Sequence, residues 1–152
     1  MDYRPSKNEM EQVNQLLLFP GRLLQARERC STSQKAVALT VGIDQAFFCG
    51  VEKGRRPPFT DRVLGQLSVL LQLNPGDTEA LAWAAKHDRC IRSVWQLTES
   101  EEETRLVSQL LTTAQWLDGA QRAGLLAYLE SLQESATRLS RLTEKGGDMT
   151  HK

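Results

Sequence analysis

Histidine is nearly absent from this chain: His87 and His151 are the only two in 152 residues, and neither stands at a ligand or catalytic spacing. Lys86, His87, Asp88 and Arg89 together read as a solvated helix face. Cysteine is scarce as well. Cys30, Cys49 and Cys90 are odd in number and form no CxxC pair, which argues for reduced thiols and against a disulfide framework or a zinc site. There is no glycine-rich phosphate loop, no HExxH and no GxSxG, so phosphate-loop, zinc-protease and hydrolase chemistry have no residues to rest on. An enzyme is not expected, and neither a cofactor nor a metal is called for. Apolar runs are short, as where residues 16–19 stop at Pro20, far below the ~20 residues of a membrane span. No membrane association is expected. Met1, Asp2, Tyr3 and Arg4 do not open a basic-then-apolar leader, which makes the cytoplasm the expected compartment.

What is present is ordinary in bulk, with 40% hydrophobic and 25% charged residues, so composition alone selects no class beyond a packed protein. The distribution of charge says more. Formal net charge is zero, yet residues 20–73 hold eight Lys or Arg against four acids, while residues 98–152 hold six against nine. A basic module suited to a polyanion, followed by an acidic one kept off it, would produce that split.

Helical periodicity dominates and no segment reads as a strand. Residues 1–18 form a polar lead, an arm or short helix, with Met10, Val13, Leu16 and Leu17 at helical spacing. Pro20 suits the first turn of the next helix. Ser33 can cap a helix carrying Val37, Ala38 and Val41, which must end at Gly42. Asp44 can cap another that carries Phe48 and Val51 and ends at Gly54. Two short helices across so tight a turn make a helix-turn-helix unit. A further helix starts at Thr60 or Asp61, and Asn74, Pro75, Gly76 and Asp77 mark a boundary. Later helices are expected over about residues 78–96, from Thr98 through Ala114, and from Asp118 onward. Along the last of these, Leu125, Leu129, Leu132, Ala136 and Leu139 alternate in steps of four and three. That heptad seam points to dimerisation, with packing back on its own chain as the alternative. Trp83, Trp95 and Trp116 add apolar surface to the same half. The division expected is 1–18 arm, 19–74 first domain, 75–143 helical dimerisation or effector region and 144–152 disordered tail.

One block has a wider likeness. Leu23 and Arg27, then Ser33 and Gln34, Val37 and Ala38, Gly42 and Ile43, Phe48, and the run Val51, Glu52, Lys53, Gly54, Arg55, Arg56 with Pro58 resemble the Xre/Cro family of lambda-repressor-like helix-turn-helix regulators. The resemblance covers about a third of the chain. It implies an all-α fold with a five-helix DNA-binding domain over residues 19–74, and a transcriptional regulator that binds double-stranded DNA as a homodimer. A repressor of its own or a nearby operon is the form the family suggests. The resemblance further implies an internal ion pair between Arg27 and Glu52, with a phosphate contact by Arg27 as the alternative. Phosphate contacts would come from Gln34, Lys35, Lys53, Arg55 and Arg56, and base readout from Gln45, Ala46, Phe47, Cys49 and Gly50.

Departures from the family pattern leave a second reading open. Ala46, Phe47, Cys49 and Gly50 stand where polar readers are usual, and Leu39 is apolar at a usually exposed position. Apolar side chains can read thymine methyl groups. Leu39 and Phe47 can equally form a patch for a protein partner, as an antiactivator or antitoxin would need. Cys49 reads as a small, partly buried thiol, with a redox switch as the alternative.

Overall fold

The computed structural model describes residues 7–148, with side chains over residues 11–146. Among the described residues helix is the only regular secondary structure, with no strand. Eight helices follow one another: α1 (Lys7–Asn14), α2 (Phe19–Arg29), α3 (Gln34–Val41), α4 (Gln45–Glu52), α5 (Asp61–Leu70), α6 (Pro75–Thr98), α7 (Glu101–Ala114) and α8 (Gly119–Asp148). Five precede residue 74 and three follow it, but α1 lies in the N-terminal lead, so residues 19–74 hold four helices, α2–α5, where the resemblance implies five.

The helix ends are set where the sequence supplies caps. Ser33 Oγ accepts the Ala36 amide, and α3 stops because Gly42 takes φ +75°. Asp44 accepts the Ala46 amide to open α4, and Asn74 Oδ1 accepts the Asp77 amide to open α6. Asp118 and Gln121 cap α8 reciprocally, each side chain accepting the other's backbone N–H.

The core of the first half is Phe19, Leu23, Val37, Ala38, Phe48, Val51, Phe59, Leu64, Leu67 and Leu71, and it also takes in Leu81, Ala84 and Ala85 of α6. Phe59 is its aromatic centre, edge-on to Phe19 and stacked on Phe48 at 5.5 Å. Burial of each large apolar side chain contributes about 1.5–3 kcal/mol. The chain accordingly divides into compact units of residues 1–111 and 112–152, and not at residue 75. The reason is packing. Residues 75–98, expected in the dimerisation or effector region, pack through Leu81, Ala84 and Ala85 against the core of the first half, beside α2 and α5.

The ends of the chain also differ from expectation. In the N-terminal lead, α1 forms and Val13 is buried; the reading of residues 1–6 as an arm lies outside the described residues. The tail expected to be disordered from residue 144 continues α8 through Asp148. Lys145 in the last turn suits the helix dipole. The rest of that tail, residues 149–152, lies outside the described residues.

His87 is not on a solvated face. It is 3% exposed and its neighbour Asp88 1%. The Trp83 ring stacks on His87 at 5.3 Å, and His87 Nε2 lies 2.9 Å from Ser108 Oγ of α7. Asp88 has a further task. Leu18, at the start of α2, has no polar side chain to cap it. The two Asp88 oxygens instead accept the Leu18 and Phe19 amides at 2.9 Å each. A carboxylate from α6 thus closes the N-terminus of a helix about seventy residues earlier, where negative charge meets the positive end of the dipole.

Candidate nucleic-acid interface

The inner side of α4 is fixed by charge. Arg27 Nε donates to Glu52 Oε2 at 2.9 Å and Arg27 Nη2 to Oε1 at 2.7 Å, a bidentate pair. Arg27 Nη1 also donates to the Thr32 carbonyl. The Glu52 side chain is 4% exposed and that of Arg27 16%. These are the two residues that the resemblance pairs. Burial works to raise the Glu52 carboxyl, but the hydrogen bonds from Arg27 and Gln34 and the charges of Arg27 and Lys53 outweigh it and hold it below the ordinary glutamate range. The hydrogen bond to Glu52 raises the Arg27 guanidinium above its usual value. Gln34, expected at a phosphate, has its carboxamide nitrogen 2.8 Å from Glu52 Oε1. It serves the ion pair, because the end of α4 brings an acceptor within its reach.

The outer side of α4 carries the residues expected to read bases. Gln45, Ala46 and Phe47 are exposed and Cys49 is half-buried. Gly50 is buried, and a Cβ there would meet Arg56 Cδ at 3.1 Å and Cγ at 3.2 Å. The stem of Arg56 therefore covers the position, and Gly50 offers no surface of its own to a base. Past the helix, the Arg55 and Arg56 amides both donate to the Gly50 carbonyl, and Gly54 takes φ +76° to turn the chain. Lys35, Lys53, Arg55 and Arg56 are all exposed. None of the four is in salt-bridge contact with a carboxylate among the described residues.

Arg56 doubles back. Its guanidinium carbon lies 5.0 Å from the centre of the Phe47 ring. That ring leans on Phe59 at 6.1 Å and is 37% exposed, against 80% for Leu39. The apolar patch proposed from Leu39 and Phe47 is thus partly covered by a cation.

From the other side the loop is held by α6. Arg92 Nη2 donates to the Gly54 and Arg56 carbonyls, and Arg89 donates to the Phe59 carbonyl. Burial lowers the Arg92 guanidinium from its usual value, with Asp88 opposing, and Arg92 Nε is buried with no hydrogen-bond partner among the described residues. Sequence reasoning missed both arginines. The missing signal was distance: no local pattern relates residues 89 and 92 to residues 54–59.

The seam residues of α8 contrast with all of this. Leu125 and Leu129 are half-buried, while Leu132, Ala136 and Leu139 are exposed. Leu126, Tyr128 and Leu142 are exposed beside them. Trp116, before α8, is 79% exposed, whereas Trp95 is buried. The described residues bring together no group of three or more His, Cys, Asp or Glu able to hold a metal ion, and no helix among them is long and apolar enough to cross a membrane. No family model, no curated protein and no solved structure matches this chain.

Proposed function

We propose that this protein is a DNA-binding transcriptional regulator of the lambda-repressor-like type, acting as a homodimer. The observation that carries the reading is the run Lys53, Arg55 and Arg56. Three exposed cations in four residues follow directly on a helix whose outer, N-terminal turn is open. In that reading α3 and α4 are the helix-turn-helix unit, and α4 enters the major groove with Gln45 and Ala46 toward base edges. Lys35, Lys53 and Arg55 meet the sugar-phosphate backbone, which supplies affinity without sequence information. The ion pair of Arg27 with Glu52 holds the inner side of α4 so that its outer side is presented rigidly. The exposed seam of α8 supplies the second copy that a pseudo-palindromic site requires.

The protein-docking reading keeps one supporting observation, the exposure of Leu39. It is weakened because Phe47, the other half of that patch, lies under Arg56.

Fluorescence anisotropy on labelled duplex, with the DNA upstream of its own gene as the first probe, tests the reading. Binding should weaken steeply with salt, and Arg55→Ala should reduce the slope of log K against log salt by about one on every sequence. Gln45→Ala should weaken the preferred site more than random duplex, since a glutamine contact to adenine is worth ~1–3 kcal/mol. No binding to either duplex at low salt would end the reading.

A further inference from the structure

We propose that Arg56 reads a base, with guanine as its preferred target, and is not one of the phosphate contacts; the proposal rests on the DNA-binding reading above. A phosphate contact needs a positive charge in the right place and little else. Arg56 has far more built around it. Its amide donates to the Gly50 carbonyl, and its own carbonyl accepts from Arg92. Its stem lies over Gly50, at a position where even a methyl group would come within 3.1 Å of it. Its head lies over the Phe47 ring, and that ring is braced by the buried Phe59.

The direction of the side chain decides between the two roles. Arg56 belongs to the loop after α4, yet its guanidinium is carried back to Phe47, the third residue of α4. The N-terminal part of a recognition helix is the part that faces base edges. A guanidinium held over an aromatic face keeps its N–H groups around its own rim, free to point outward. Among the described residues none of those N–H groups is taken by a protein acceptor. A planar fork with free donors, fixed in direction, matches the O6 and N7 acceptors of guanine in the major groove. Gly50 and Phe47 then acquire a purpose that their own chemistry does not supply. They are positioning residues for Arg56, the glycine by giving way to its stem and the ring by holding its head. Arg92 positions it too, from α6.

The test is selection of binding sites from a pool of random-sequence duplexes with the full chain, run beside three variants. The wild-type chain should enrich a site with guanine at one position, preferred there about 5- to 150-fold over other bases. Arg56→Gln should move that one position from guanine toward adenine, because a glutamine fork pairs with adenine N6 and N7. Phe47→Ala should reduce the guanine preference several-fold while leaving the salt slope unchanged, and Phe47→Tyr should restore it. An unchanged preferred site in Arg56→Gln overturns the proposal, and a uniform loss with a slope lower by about one would then assign Arg56 to phosphate. If the wild-type chain binds no duplex in the pool at low salt, the DNA-binding reading itself fails, and the proposal with it. Arg56 is exposed, so its replacement does not put the fold at risk.

Discussion

Residues 1–111 and 112–152 are written in the same helical code and use it differently. In the first unit the apolar stripes end in a shared core, with Leu23, Val37, Phe48, Leu67 and Ile91 fully buried. In the second, α8 carries leucines at regular spacing and none of its residues over 119–146 is buried. Burial of a stripe within the chain completes a domain; a stripe left largely exposed keeps apolar area in water, and its value is realised on association. The largest expected effect tests that division. Cutting the chain after Asn74 removes Leu81, Ala84 and Ala85 from the core and Asp88 from the start of α2, and should abolish the folded state. Cutting after Ala114 should leave a folded monomer by circular dichroism and light scattering, where the proposed reading expects the full chain to be a dimer. A dimeric shortened chain would move the interface into the first unit.

Next in size is the ion pair beneath α4. Arg27→Ala or Glu52→Ala leaves a charge nearly enclosed and unpaired, at a cost of ~3–5 kcal/mol. The two together should cost less than the sum of the singles, which a double-mutant cycle in urea would show. The pair also sets a pH dependence. Glu52 titrates below its unfolded value in the folded chain, so its contribution is complete above the unfolded glutamate pKa. It is lost as pH falls through the folded one. Acidification through and below the usual glutamate range should therefore destabilise the wild-type chain more steeply than Glu52→Gln. Equal slopes would show that the carboxylate gains nothing from its partners.

Asp88 tests the link between α6 and α2. Asp88→Ala leaves the Leu18 and Phe19 amides without acceptors and His87 without its neighbour, and should cost about 2–3 kcal/mol. Hydrogen exchange should quicken at the first turn of α2 before it does elsewhere. Uniform quickening would mean that Asp88 supports the core in general and not that helix end.

These sizes follow what could and could not be read in advance. Ser33, Gly42, Asp44 and Gly54 are legible because a helix end is decided by the few residues around it, and the structure uses each as its chemistry suggests. The fate of α6 was illegible because periodicity defines an apolar face without naming what covers it. The same limit hid Asp88 as a cap, the Arg89 and Arg92 donors, and the burial of His87. Gly50 fails as a reader for a related reason: the group that covers it comes from beyond the end of its own helix. Gln34 and Lys35 sit together in sequence, yet one turns to Glu52 and the other to water.

The smallest effect sharpens the comparison most, because one substitution should change sign between the units. Gly42 holds φ +75°, and a Cβ there would meet nothing within 4 Å. Gly42→Ala therefore suffers no clash and is penalised by backbone conformation alone, by about 1 kcal/mol. Gly124 also has open space around it, but it lies inside α8 with no positive φ. There the alanine removes unfolded-state freedom and improves helix propensity, so Gly124→Ala should stabilise α8 by about 0.5–1 kcal/mol. Thermal melting of the full chain, followed by circular dichroism, should show the melt lowered by the first change and the loss of α8 helicity delayed by the second. A fall in both would mean that Gly124 is covered in the assembled protein. Close approach of a second copy at that point of α8 would then account for the glycine, and the dimer contact would begin one residue before Leu125.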